Sequence, residues 1–172
     1  MSNIPTVIHD YNVYNNGNKI IGTTGEVTLP DFEPLTSAIS GAGLLGEFEE
    51  VIIGQFKSMT MDINFRTLCD DIFKFMDPTK TIDLNLRAAR QEMKSESGEV
   101  AYGGMRIAVR GKLKGFTPGK LKQADQMESS IKLELSYILI EFDGEIKLEL
   151  DKLNSVFKVD GTDLMAKVRS YT

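Results

Sequence analysis

Apolar and polar residues alternate with a period of two over much of this chain, most sharply in residues 129–151. Ile131, Leu133, Leu135, Tyr137 and Leu139 alternate with Lys132, Glu134 and Ser136, as in a strand with one buried face. From Tyr137 to Phe142 the run Tyr-Ile-Leu-Ile-Glu-Phe is apolar on both faces, so this half of the strand needs two covers. Asp143-Gly144 follows, and Ile146, Leu148 and Leu150 then alternate with Glu145, Lys147 and Glu149, which predicts a hairpin with a type I′ turn. Unbroken pairing about that turn sets Leu139 opposite Leu148 and Tyr137 opposite Leu150. Ile138, Ile140 and Phe142 are left on the other face, to be covered by a helix over 67–76 or by a neighbouring subunit, and are thus a candidate subunit interface.

The same alternation marks further strands. Asn16-Gly17, between Tyr11 to Tyr14 and residues 19–29, predicts a hairpin near the start of the chain. Residues 1–9, with Pro5 and no sustained alternation, read as a mobile or partner-bound arm. Met59, Met61, Ile63 and Phe65 form one half-buried set, and Ile82, Leu84, Leu86 and Ala88 form another. Between them the period changes: Thr67 as a cap, Asp70 and Asp71 in a first turn and Pro78 beyond the end predict a helix over 67–76. Its stripe of Leu68, Ile72, Phe75 and Met76, widened by Cys69 and Phe73, predicts that it lies flat on a sheet. Residues 92–104 are polar and loop-like; Met105, Ile107, Val109 and Leu113 then alternate with a basic stripe of Arg106, Arg110, Lys112 and Lys114. That stripe fits either a patch facing phosphates or an acidic partner, or simply a solvated strand face.

The sum is a mainly β chain of about seven strands with one short α-helix, an antiparallel β-sandwich or partial barrel in a single domain spanning 1–172. Residues 30–58 interrupt it: Pro30 and Pro34, glycines 41, 43, 46 and 54, and a scatter of Leu44, Leu45, Phe48, Val51, Ile52 and Ile53. So long a connection is either functional or disordered, and its apolar content argues against disorder. It reads as an assembly loop, with room for a short hairpin, that packs against a neighbouring molecule.

Composition narrows the chemistry. A formal charge of −5 argues against a protein that works by neutralising phosphates. One cysteine, Cys69, and one histidine, His9, permit neither an internal disulfide nor a Cys/His zinc site, and no cofactor or metal ligand set is expected. No glycine-rich phosphate loop and no nucleophile motif occur, so no enzyme is expected; acidic residues from distant strands, Asp62 and Asp83 being the most plausible pair, would have to converge. No apolar run is long enough for a membrane helix and no leader-like segment opens the chain, so assembly in a cytoplasm without membrane insertion is expected.

Several short motifs fall in a familiar order: Thr28-Leu29-Pro30 with Gly41-Ala42-Gly43, Val109-Arg110-Gly111-Lys112-Leu113-Lys114 with Pro118-Gly119, then Ser136-Tyr137, Asp143-Gly144, Glu149-Leu150-Asp151, Asn154, Val159-Asp160-Gly161-Thr162-Asp163 and Arg169. Together they resemble the major tail tube proteins of contractile-tailed phages and related R-type bacteriocins, over nearly the full length. Lys120-Leu121 stands where that family often carries a tryptophan after the Pro-Gly. The resemblance implies β-sandwich subunits in hexameric rings that stack into a hollow conduit for DNA or ions inside a sheath. Its partners would be copies of itself, the sheath, the tape measure and the baseplate, with DNA only in transit and the product in a virion tail or tail-like particle. Gly41, Gly43, Leu44, Leu45, Phe48 and Ile52 then become the expected ring-stacking contact. The basic stripe is expected to face the sheath, a neighbour or solvent rather than the bore. Two other readings stay open, the tube protein of a type VI-like secretion system and a monomeric β-sandwich binding module.

Overall fold

The computed structural model describes residues 3–21 and 23–172. The first two residues of the expected arm, and Gly22 within the expected 19–29 strand, lie outside it. In chain order the elements are β1 (Ile4–Asn15), β2 (Asn18–Lys19), β3 (Thr23–Thr28), β4 (Pro34–Ile39), β5 (Phe48–Phe56), β6 (Thr60–Phe65), α1 (Asp70–Phe73), β7 (Ile82–Met93), β8 (Val100–Thr117), β9 (Ser129–Phe142), β10 (Glu145–Asp151), β11 (Val156–Val159), β12 (Thr162–Asp163) and α2 (Ala166–Tyr171). Ten strands form one sheet in the order β12-β11-β10-β9-β8-β7-β1-β2, with β6 pairing both β9 and β3, and β4 and β5 form a separate hairpin. All pairings are antiparallel, and the sheet is not closed into a barrel, which agrees with a mainly β, sandwich-like fold.

The long strand β9 organises the sheet. Its first half, up to Glu134, pairs with β6, and its second half, from Tyr137, pairs with β10, while β8 runs along its other side throughout. The change of partner coincides with a bulge: Arg110 lies opposite Tyr137 and Gly111 opposite Leu135, which leaves Ser136 unopposed. One unpaired residue shifts the side-chain parity. Ile131, Leu133 and Leu135 before the bulge and Ile138 and Ile140 after it therefore share one face, and that face is the core.

This corrects the expected hairpin register. Asp143 and Gly144 do form the turn, with φ of 50° and 86° as a type I′ turn requires. Beyond Ile146 a second bulge leaves Lys147 unopposed, so Leu148 meets Ile140 and Leu150 meets Ile138 rather than Leu139 and Tyr137. Ile138 is 1% exposed and sits in the same buried cluster as Leu84, Leu86, Ile107, Val109, Leu150 and the α1 residue Ile72. Ile140 packs against that cluster, and Phe142 lies under the Arg90 guanidinium, 4.3 Å from ring centroid to Cζ. Ile138 and Ile140 thus face the chain's own interior, with Ile72 of α1 in the cluster that covers them, while Phe142 is half-buried beneath Arg90, and it is Tyr137, Leu139 and Glu141 that point to the opposite face.

Three other elements differ from expectation. The residues before Asp10 are no loose arm but the first half of β1, paired from Ile4 opposite Met93 onwards. Bulges between Pro5 and Val7 and between Ile8 and Asp10 break the alternation that would have disclosed the strand. The expected helix shortens to Asp70–Phe73, capped at Cys69 with no side-chain hydrogen bond, while Ile72 and Phe75 still bury fully against the sheet. The loop-like 92–104 stretch contracts to a short connection, because β7 extends to Met93 and β8 starts at Val100.

Candidate assembly surfaces

The expected assembly loop is the β4–β5 hairpin. Ile39 pairs with Phe48, Ala38 with Glu49, Ser37 with Glu50 and Thr36 with Val51. The Lys57 backbone N–H donates to the Glu33 carbonyl at 2.8 Å and closes the hairpin's base, and Phe56, edge-on to Phe32 at a centroid distance of 6.0 Å, fixes that base to the body by packing edge-on against Phe157 at 5.2 Å. Gly54, at φ 78°, lies so close to the buried Met165 ahead of α2 that a Cβ there would come within 2.4 Å of the Met165 sulfur. Beyond the base the hairpin stands free. Residues 35–51 are all exposed, Leu44 at 45%, Phe48 at 48% and Leu45 completely.

At the tip Leu44 N–H donates to the Gly41 carbonyl at 3.2 Å. Gly43 and Gly46 take positive φ of 91° and 127°, so this turn presents two leucines to water between residues that bury nothing. The structure thus brings Gly41, Gly43, Leu44, Leu45 and Phe48 together on one projecting element. Ile52 is half-buried nearer the base, and its neighbour Ile53 is the more exposed. An isolated two-stranded hairpin is marginal in water, and an apolar one standing away from its domain is a contact surface in search of cover.

A second surface was not legible in the sequence. From Ile4 to Asp10, β1 pairs only with β7 among the described residues, so this part of its other edge has no strand beside it. Cross-strand rows at this end set Ile4, Met93 and Val100 together and Val7 beside Gln91 and Tyr102, and these apolar side chains are exposed. His9 packs edge-on to Tyr102 at 5.7 Å. The signal would have been to keep pairing Ile4, Val7 and Ile8 with a partner strand despite the two bulges.

The basic stripe lies on the sheet face opposite the core, where Arg106 and Lys114 are paired with carboxylates. Arg106 donates to Glu141 at 2.6 Å and to Asn85 at 3.3 Å; the bond to Glu141 raises the guanidinium pKa and holds the Glu141 carboxyl below its usual range. The Arg110 guanidinium lies 4.1 Å from the centre of the Tyr137 ring, and Lys114 pairs with Glu134 at 3.2 Å. Lys112 is exposed beside them. Asp62 and Asp83 do not converge: one faces Lys132 across β6 and β9, the other Arg110 across β7 and β8. Among the described residues no cluster of His, Cys, Asp and Glu is placed to hold a metal ion, and no helix is long and apolar enough to cross a membrane.

The exposed hairpin and the open sheet edge are candidate contact surfaces, and the family comparison says what kind of protein carries them. The model of the phage tail tube protein FII family matches residues 5–171. The chain belongs to that family. It is 25% identical over 167 residues to the tail tube protein of Escherichia phage P2, covering 96% of both chains. It is 32% identical over 60 residues to the major tail tube protein of Serratia phage KSP20, 35% of each. In fold it is similar to a chain of an extracellular contractile injection system, solved with its sheath/tube terminator in the extended state, at a TM-score of 0.56 and 14% identity over 80% of this chain and 96% of that one. This phage tail tube protein is thus a virion structural protein, as the resemblance in its motifs implied.

Proposed function

We propose that this tail tube protein forms hexameric rings that stack into a hollow tube inside a contractile sheath, a passive conduit for DNA or ions. The observation that carries the reading is the β4–β5 hairpin, anchored at Phe56 and Gly54 and uncovered at Leu44, Leu45 and Phe48. Gly41, Gly43, Leu44, Leu45, Phe48 and Ile52 supply the ring-to-ring contact. Within a ring, the open β1 edge takes the role that the alternation pattern suggests for Ile138, Ile140 and Phe142. Pairing it with a neighbour removes an exposed edge and begins the closure that a single chain lacks.

Its partners are further copies of itself, the sheath, and the tape measure and baseplate proteins that set tube length, and DNA passes without being held. The acidic balance and the internally paired arginines suit such a wall, since strong phosphate attraction would impede passage. Assembly takes place in the bacterial cytoplasm and the product resides in a virion tail or tail-like particle. Sedimentation of the purified chain at increasing concentration tests the reading: rings and larger polymers are expected, and a strict monomer at high concentration contradicts it.

A further inference from the structure

Two segments of this chain carry opposite charge with no admixture. From residue 34 to 56, the hairpin, the only charged residues are Glu47, Glu49 and Glu50; from 110 to 122 the only ones are Arg110, Lys112, Lys114, Lys120 and Lys122. Each has an apolar centre among its charges. In the hairpin it is Leu44, Leu45 and Phe48, and in the basic segment it is Leu121, 88% exposed between Lys120 and Lys122. The basic segment also has an open sheet edge: β7 begins at Ile82 opposite Gly111, so from Lys112 to Thr117 β8 has β9 on one side and, among the described residues, no strand on the other.

We infer that the hairpin of one copy seats on residues 110–122 of a second copy, glutamates against lysines and Leu45 beside Leu121. The inference rests on the tube reading and names the receiving surface that reading leaves open. Complementary charge and exposed apolar side chains on both partners recommend a second copy as the occupant. Lys114, Lys120 and Lys122 now pair with Glu134, Glu128 and Asp125 at 3.2, 3.1 and 3.5 Å. These are surface ion pairs, which hold little free energy and exchange partners readily. Because hairpin and seat are different surfaces, the contact is heterologous and repeats from copy to copy, as an open stack requires.

Charge reversal on the full chain tests this, with assembly read by sedimentation and negative-stain microscopy and folding by thermal melting. Lys112→Glu/Lys120→Glu/Lys122→Glu and, separately, Glu47→Lys/Glu49→Lys/Glu50→Lys are each expected to raise the concentration needed for assembly by at least about tenfold at moderate salt. Combining both sets in one chain is expected to restore assembly. If a reversal unfolds the chain, the corresponding Gln substitutions are expected to give a smaller shift in the same direction. Unchanged assembly in both reversal variants, or no recovery in a folded combined chain, overturns the inference while leaving tube formation by the unaltered chain intact. So does a gel shift of duplex DNA that the lysine reversal abolishes without affecting assembly, which would make the segment a nucleic-acid surface. An unaltered chain that never assembles overturns the tube reading and this inference together.

Discussion

Asp143 accepts the backbone N–H of Gly104 at 2.6 Å through Oδ1, and its other oxygen pairs with Arg90 at 3.2 Å. The residue that makes the type I′ turn possible thus also ties that turn to the neighbouring strand β8. Asp143→Gly keeps the positive φ of the turn but loses both side-chain contacts. Asp143 is largely solvent-exposed, so the expected loss is about 0.5–1.5 kcal/mol, seen as a lower urea midpoint at unchanged slope. No change would mean that Gly144 alone defines the hairpin.

Ile138 distinguishes core from interface. Because it is buried at 1% among the chain's own side chains, Ile138→Ala should destabilise the isolated subunit by about 2–5 kcal/mol. An interface residue would leave the subunit's unfolding unchanged and weaken assembly alone.

Gly111 lies opposite the β9 bulge, where a Cβ would meet the Glu134 carbonyl oxygen at 2.2 Å. Because that obstacle is backbone, it cannot swing aside. Gly111→Ala is expected to cost about 1–3 kcal/mol, with faster amide exchange in β8 and β9 on either side of Ser136. Exchange rates and a melting point equal to those of the unaltered chain would contradict the close approach.

The strand inventory was largely legible because period-two alternation survives wherever a strand has one wet face, as in β6 and the first half of β9. The bulges escaped the sequence. Ser136 and Lys147 look like ordinary members of an alternating series, yet each shifts the parity of the residues beyond it, and an apparently outward Ile138 becomes core. The bulges in β1 did the reverse and made a strand look like an arm. The hairpin's exposure could be read from its glycines and unsupported leucines; the open edges of β1 and β8 could not, since an edge is a property of which strands are absent.

Acid should weaken the subunit with a definite sign. The Arg106 hydrogen bond holds Glu141 below its ordinary value, and the Arg169 hydrogen bond does the same for Asp163. A carboxylate lowered in the folded state contributes stability above its unfolded pKa of about 4 and loses it as pH falls through the folded value. The urea midpoint should therefore drop as acid protonates these groups, and Glu141→Gln/Asp163→Asn should flatten that dependence. An equally steep profile in the double variant would assign the acid sensitivity elsewhere.

In the proposed tube, Leu44 and Leu45, exposed at the tip of an anchored hairpin, join one ring to the next. Negative-stain microscopy of the unaltered chain beside Leu44→Asp/Leu45→Asp, with melting curves for both, tests this most directly. Hollow tubes from the first, and folded chains that stop at unstacked rings or smaller species from the second, are the predicted result. Tubes of normal length from the variant, or its failure to fold, would contradict the account, the latter by placing these leucines in the subunit's own core.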